Sequence, residues 1–178
     1  FALSFFVFRN SLNDVTPFFN NLGGFMSDEL RLIATNNLSI SAQLYKLLHL
    51  FIPRLSPESP VFSVINLAAL LIVFAIGTYA AVATKSNLSR YAICFAVVIL
   101  IPSISYFYVI IFALLPFLEY IRTYNTLGLG KRIFYFLAFM FLFITPFVIA
   151  KDFTLHSFTI IAIFIVEVVS VIRERLNA

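Results

Sequence analysis

The chain has 178 residues, of which 62% are hydrophobic and 11% are charged, and its formal net charge is +4. Soluble domains are about 45–50% apolar and about 25% charged, so this composition excludes an ordinary soluble domain and indicates an integral membrane protein. The twelve Lys and Arg residues stand mostly at the ends of apolar segments, which is typical of topology signals and not of a nucleic-acid-binding surface.

The first sixty residues contain one short apolar run and one long polar segment. Residues 1–8 are too few to cross a membrane, and we expect them to be the end of a truncated transmembrane helix. Because the chain starts inside this run, we also expect it to be part of a longer polypeptide whose N-terminal half is missing. Residues 9–60 are predicted to form an extracytoplasmic loop. Within this loop, apolar residues at helical spacing predict an amphipathic helix at the membrane interface, formed by Ile40, Leu44, Leu47, Leu48, Phe51 and Ile52.

Residues 61–178 are predicted to form a transmembrane bundle of five apolar segments, at about 61–84, 91–101, 104–121, 133–150 and 155–172. The first is long enough to cross the bilayer once. Segment 91–101, in contrast, reaches about 16 Å as a helix and cannot cross a hydrocarbon core of about 30 Å. The predicted fold class is therefore all-α, a polytopic transmembrane helix bundle with a broken helical hairpin and an outward amphipathic loop helix.

The break lies in the stretch Leu100-Ile-Pro-Ser-Ile-Ser-Tyr-Phe-Tyr108. Pro102 removes one helical donor and biases Ile101 away from the α-helical region. Irregular backbone survives at membrane depth only where it is packed in protein or lines a wet cavity, so we predict an outward-facing cavity here. The break is expected to lie opposite a polar loop at residues 36–41. The hydroxyl groups of the break either line the cavity or form hydrogen bonds between helices. They are those of Ser103, Ser105, Tyr106 and Tyr108.

The distribution of charge favours a hairpin that turns at residues 102–105. With this threading, seven basic residues fall on one side of the membrane, as the positive-inside rule requires. They are Lys85, Arg90, Arg122, Lys131, Arg132, Arg173 and Arg175. The long loop, the break and Lys151 then face outward. The expected location is the cell (plasma) membrane, with several crossings.

Polar residues before and within the amphipathic helix form the other half of the candidate site. Asn36, Asn37 and Ser39 either cap the helix or bind sugar hydroxyl groups, and both roles can hold together. Lys46 and Arg54 lie where a cation could hold a lipid phosphate or simply anchor the chain at the interface.

The sequence contains no recognisable set of catalytic residues. The single cysteine, Cys94, and the isolated residues His49 and His156 leave no ligand set for a metal, and we expect neither a metal nor a cofactor. Glu167 is an intramembrane carboxylate, which either has a functional role or is paired with a neighbouring helix or snorkels to the interface.

The order of these motifs resembles the C-terminal half of family 87 of the GT-C glycosyltransferases, also known as domain of unknown function 2029. That family has an Asn-Gln-Ser-Leu motif before an amphipathic helix. It also has a Ser-Pro-x-Ser-aromatic motif before a Leu-Leu-Pro sequence. Here the corresponding stretches are Asn36 to Ile40, Ile101 to Tyr106 and Leu114-Leu-Pro116. Asn37 stands where the family often has Gln, Ile101 replaces the first Ser, and Tyr108 occupies a place where the family often has His.

The resemblance implies transfer of a hexose, commonly mannose, from a polyprenyl-phosphate sugar donor to a glycolipid or cell-envelope glycan acceptor on the outer face. It implies binding roles for the site residues named above. The catalytic acidic residue of such enzymes lies in a first outward loop upstream, so no catalytic residue is assigned in this chain. The expected partners are membrane lipid, the donor, the acceptor and the missing half of the protein, and no nucleic acid.

Three other functions remain open from the residues alone, and one of them is a purely structural membrane subunit, which would need no cavity. A polysaccharide polymerase or ligase also uses lipid-linked substrates and a large outward loop. A transporter or flippase fragment also contains broken helices near the membrane midplane.

Overall fold

The computed structural model describes residues 37–102, 105, 107–144, 148–150 and 153–176, together with the single residue Leu32. Across these residues the protein is helical. The six α-helices within residues 37–176 that the structure describes are α1 (Ile40–Phe51), α2 (Pro60–Ala83), α3 (Asn87–Leu100), α4 (Leu114–Thr123), α5 (Leu129–Phe143) and α6 (Leu155–Leu176). Two short 3₁₀ helices span Phe107–Ala113 and Tyr124–Thr126. One antiparallel strand pair, β1 (Val148–Ala150) and β2 (Phe153–Thr154), precedes α6.

Serine residues define where the first three helices begin. Ser39, Ser59 and Ser86 each accept, through the side-chain oxygen, the backbone N–H three residues later. This contact satisfies one of the N–H groups that have no partner inside the helix. Pro60 follows Ser59 at the first position of α2, where its fixed φ angle suits a helix and its missing N–H is not needed.

Two helices are long and apolar enough to cross a membrane. Helix α2 has 24 residues with a mean hydropathy of 2.4, and α6 has 22 residues with a mean hydropathy of 2.3. They are about 36 Å and about 33 Å long at the helical rise, and a hydrocarbon core is about 30 Å thick. Helix α3 is apolar but has only 14 residues, so the prediction that this segment is too short to cross alone is confirmed.

Two predicted helical segments are wrong in part, and prolines explain both. The predicted helix 133–150 ends at Phe143, and Val148–Ala150 is a strand. Pro146 interrupts this segment, because proline cannot donate to the helical ladder and biases the preceding residue away from the α region. The predicted helix 104–121 begins instead as the 3₁₀ helix. Pro116 lies in the first turn of α4, where a continuous α-helix would bring its ring against the Phe112 carbonyl.

Helix α3 is central among the described helices and packs against α2, α4 and α6. Its small buried residues Ala92 and Ala96 allow this close packing. The tightest point is Gly77 of α2, where a Cβ atom would lie 2.5 Å from Val97 Cγ2 and 3.1 Å from Phe164 Cε2. Glycine at this position therefore allows α2, α3 and α6 to meet.

Two arginines join the end of α2 to α3 and α6. Arg90, in the first turn of α3, donates from Nε to the Ala81 carbonyl (3.2 Å) and from Nη2 to the Thr84 carbonyl (3.0 Å). Arg175, near the end of α6, donates from Nη2 to the Ala83 carbonyl at 2.6 Å. The carbonyls of a last helical turn have no partner inside the helix, so the guanidinium groups complete the end of α2.

The end of α4 contacts the start of α5, and α5 contacts α6. The Tyr120 hydroxyl of α4 donates to the Arg132 carbonyl of α5 at 3.1 Å. Lys131, the neighbouring residue, contacts Glu167 in the C-terminal half of α6. The seven basic residues assigned to one side by the charge pattern are therefore located in or beside helix ends that these contacts connect.

Glu167 is fully buried and paired with a cation from α5. Lys131 Nζ lies 3.7 Å from Glu167 Oε2, and the lysine side chain is 32% exposed. The buried Tyr135 hydroxyl of α5 lies near this carboxylate and interacts with it, although within the described residues the two groups do not have hydrogen-bond geometry. The prediction of pairing with a neighbouring helix is thus confirmed, and snorkelling to the interface is wrong because no part of the side chain reaches the surface.

The two partners of this ion pair differ in exposure, which predicts an asymmetric response to mutation. Lys131→Met leaves a buried carboxylate without its cation and should lower the free energy of unfolding by about 3 kcal/mol or more. Glu167→Gln leaves a lysine that can turn toward the surface, and should cost about 1 kcal/mol.

The double variant Lys131→Met/Glu167→Gln should be more stable than Lys131→Met alone, because it contains no unpaired charge. Unfolding in detergent, followed by far-ultraviolet circular dichroism, gives the three values. Additive effects of the two substitutions would contradict the pairing.

Candidate functional site

The loop before α1 and the break after α3 meet in a buried junction. The Ser105 backbone N–H donates to Asn37 Oδ1 at 3.1 Å, and the Leu38 N–H donates to the Ser105 carbonyl at 2.6 Å. Asn37 and Leu38 are fully buried and Ser105 is 1% exposed. The predicted position of the break opposite the polar loop is therefore confirmed for Asn37 and Ser105. We call this contact the Asn37–Ser105 junction.

Asn37 organises the junction through its amide and its backbone. Besides the Ser105 N–H, its Oδ1 accepts the Ser39 N–H at 3.1 Å. Gln43 Nε2 donates to the Asn37 carbonyl at 2.7 Å. An amide oxygen has two lone pairs, and both are used here by backbone donors. Asn37 therefore shapes the site through Oδ1, and it does not present this atom to a ligand.

Ser39 has the capping role that the sequence allowed. Its Oγ accepts the Ala42 N–H at 3.2 Å, and Ser39 is the N-cap of α1. The side chain is fully buried. Capping is thus confirmed for Ser39, and a binding role for this residue stays a prediction.

The hydroxyl group of Ser105 differs from its neighbours in the junction. Ser105 Oγ is buried and has no hydrogen-bond partner among the described residues, whereas the Ser105 backbone N–H and carbonyl are both paired. A buried hydroxyl without a partner is costly, and such groups in native proteins are often found at functional sites. Ser105 Oγ is therefore the atom of the junction best suited to bond a ligand hydroxyl.

Helix α1 is buried in its first half and exposed at its end. Gln43, Tyr45 and Lys46 are buried, and Lys46 is only 4% exposed. Leu50 and Phe51, in the last turn, are 62% and 77% exposed. Because Leu50 follows Gln43 by seven residues and shares its helical face, burial in α1 changes along the helix and not between two opposite faces.

Tyr45 holds α1 against the start of α2. Its ring contacts His49 in a stacked geometry and Phe62 edge-on, with centroids 5.6 Å and 5.2 Å apart. Its hydroxyl donates to the Leu55 carbonyl at 3.0 Å. Arg54, the second predicted phosphate ligand, lies in the turn closed by this contact and is exposed.

The remaining predicted site residues can be placed only in part. Asn36, Ser103 and Tyr106 lie outside the described residues. Tyr108 belongs to the 3₁₀ helix Phe107–Ala113 that follows the break. Within the described chain, the junction brings together Asn37, Ser39 and Ser105.

Gln43 was missed as a site residue by the sequence reasoning. Ser39, Gln43 and Lys46 are spaced i, i+4, i+7, which places them on one helical face. This spacing was the available signal.

Comparison of the chain with protein-family models, with curated proteins and with solved structures finds no match.

Asn37→Ala should destabilise the fold, whereas Ser105→Ala should not. The first substitution removes the acceptor of two buried N–H groups, and each such loss costs about 1–3 kcal/mol. The second removes a hydroxyl without a partner and should change the free energy of unfolding by about 0.5 kcal/mol or less. Unfolding of both variants in detergent measures the difference. An Asn37→Ala protein as stable as the wild type would show that the junction contributes little.

Proposed function

We propose that this chain is the C-terminal membrane part of a polyprenyl-phosphate-sugar-dependent glycosyltransferase of the GT-C type, similar to family 87. The observation that carries the proposal is the Asn37–Ser105 junction. It joins the two motifs on which the resemblance rests, although they are 68 positions apart in the chain. In this proposal the protein transfers a hexose, such as mannose, to a glycolipid or cell-envelope glycan.

The proposed topology has several membrane crossings in the plasma membrane. The linked helix ends that carry the basic residues face the cytoplasm, in accord with the positive-inside rule. The junction belongs to the opposite ends of α2 and α3, because α3 begins beside the end of α2 and ends at the break. The site therefore faces outward, and a lipid-anchored donor reaches it laterally beside α1.

The proposed reaction is a displacement at the anomeric carbon. The acceptor hydroxyl oxygen forms a bond to this carbon, the bond to the phosphate oxygen breaks, and polyprenyl phosphate leaves. A general base takes the acceptor proton, and we assign it to a part of the enzyme outside this chain. The roles of this chain are to orient the sugar through Ser105 Oγ and to stabilise the leaving phosphate through a cation at Lys46 or Arg54.

A transporter is less well supported. Broken helices that carry a substrate usually bring intramembrane charges to a cavity. The deep carboxylate of this protein, Glu167, is instead fully buried and paired with Lys131.

The topology can be tested with single cysteines. In a Cys94→Ala background, Asn87→Cys and Asn125→Cys should both be protected from an impermeant thiol reagent added outside intact cells. Glu58→Cys, in the loop before α2, should react. All three positions are exposed on the protein, so only the membrane decides the outcome. Labelling of Asn87→Cys and Asn125→Cys from opposite sides would exclude the outward hairpin.

The activity can be tested with Ser105→Ala in the intact protein. Purified enzyme in liposomes should transfer hexose from a polyprenyl-phosphate donor, and the variant should lose about five- to tenfold in kcat/KM, since a hydrogen bond to a buried hydroxyl contributes about 1–1.5 kcal/mol. Ser63→Ala is the matched control, because Ser63 is exposed on α2. Equal activity of Ser105→Ala and wild type would remove Ser105 from the site, and no transfer by wild type from any such donor would refute the proposed function.

A further inference from the structure

A second polar feature lies at the C-terminal end of α2, and it shares no residue with the Asn37–Ser105 junction. A cavity of about 520 Å³ is bounded there by Thr78, Tyr79, Val82, Ala83 and Arg175. Its size falls within the range of small-molecule and headgroup sites, about 300–1,000 Å³. We call it the α2-end cavity.

Arg175 is fixed at this cavity by only some of its N–H donors. One of its nitrogens, Nη2, donates to the Ala83 carbonyl at 2.6 Å, which fixes the guanidinium against the end of α2. No other hydrogen bond of this side chain is found among the described residues, and Arg175 is exposed. A guanidinium group has five N–H donors in a planar fork that suits two phosphate oxygens.

The hydroxyl groups of Thr78 and Tyr79 line the same cavity, and both residues are exposed. Together with Arg175 they offer a cation and two neutral donors on one wall. Such a set matches a phosphate monoester or diester, which carries negative charge and several acceptor oxygens.

The charge around the cavity is positive. Lys85 lies two residues after the end of α2, and Arg90 is bonded to the Thr84 carbonyl. Arg173 and Glu174, which precede Arg175, line a different cavity. Three cations, with no carboxylate among the residues that line the cavity, favour an anionic ligand.

The other border of the cavity is apolar. Val82 is 78% exposed, and Leu71 and Phe74, farther along α2, are 59% and 56% exposed. A ligand bound here meets a cationic end and a long apolar helix surface together. This combination fits an anionic amphiphile, and a soluble phosphate would leave the apolar surface uncovered.

We propose that the α2-end cavity binds an anionic phospholipid. The headgroup phosphate lies on the free guanidinium edge of Arg175 and accepts hydrogen bonds from Thr78 and Tyr79. An acyl chain lies along the exposed apolar side of α2. The site is independent of the Asn37–Ser105 junction and does not depend on the proposed transferase activity.

Native mass spectrometry of the full chain in detergent tests this site. The protein is titrated with phosphatidylglycerol and with phosphatidylcholine of the same acyl chains. Phosphatidylglycerol should bind more tightly, and Arg175→Gln should weaken its binding about fivefold, because one basic residue contributes about that factor at a membrane surface. Arg122→Gln is the matched control. It removes an exposed cation that does not line the cavity, and should leave binding unchanged.

A second variant separates ligand binding from folding, since Arg175 also completes the end of α2. Thr78→Val/Tyr79→Phe removes only exposed hydroxyl groups, and should weaken phosphatidylglycerol binding about threefold with unchanged unfolding. Equal affinity for the two lipids, or an equal loss in Arg122→Gln, would overturn the proposal. Displacement of the lipid by glycerol 1-phosphate at matched concentration would also overturn it, because the cavity would then recognise phosphate alone.

Discussion

A single amide oxygen joins the two segments from which the candidate site is built. Asn37 Oδ1 accepts backbone N–H groups from Ser39 and from Ser105, and the adjacent Leu38 N–H bonds to the Ser105 carbonyl. Both segments are irregular backbone in a protein that is mostly apolar helix. Unpaired peptide groups are very costly away from water, so these segments can be buried only where they satisfy one another. The break after α3 and the start of α1 therefore depend on each other.

This mutual dependence explains why the first half of α1 is buried although it carries polar residues. The helix starts at the junction, and its buried residue Gln43 donates to the Asn37 carbonyl. Its last turn, with Leu50 and Phe51, is exposed. A hydrophobic pattern alone describes the two faces of a helix, but it does not show which part of the helix length lies against the protein.

Much of the helical framework could be predicted from the sequence. The long apolar run of α2, its start at Ser59-Pro60 and the shortness of α3 all follow from length, capping residues and composition. The predicted bounds of two helical segments were wrong near Pro116 and Pro146, because the effect of each proline on the helix was overlooked. The contact between Asn37 and Ser105 was expected only as a general opposition of two polar stretches. Its hydrogen bonds depend on a long-range contact between the residues before α1 and the break after α3, which no local pattern encodes.

The buried pair between Lys131 and Glu167 has a consequence for biogenesis. On the proposed topology, α6 carries a carboxylate into hydrocarbon, where an acidic residue near a helix centre raises the apparent insertion free energy by about 2.5–3.5 kcal/mol. The cation that offsets this penalty is on α5, which precedes α6 in the chain. On that topology, insertion of α6 is therefore most favourable when α5 already lies beside it.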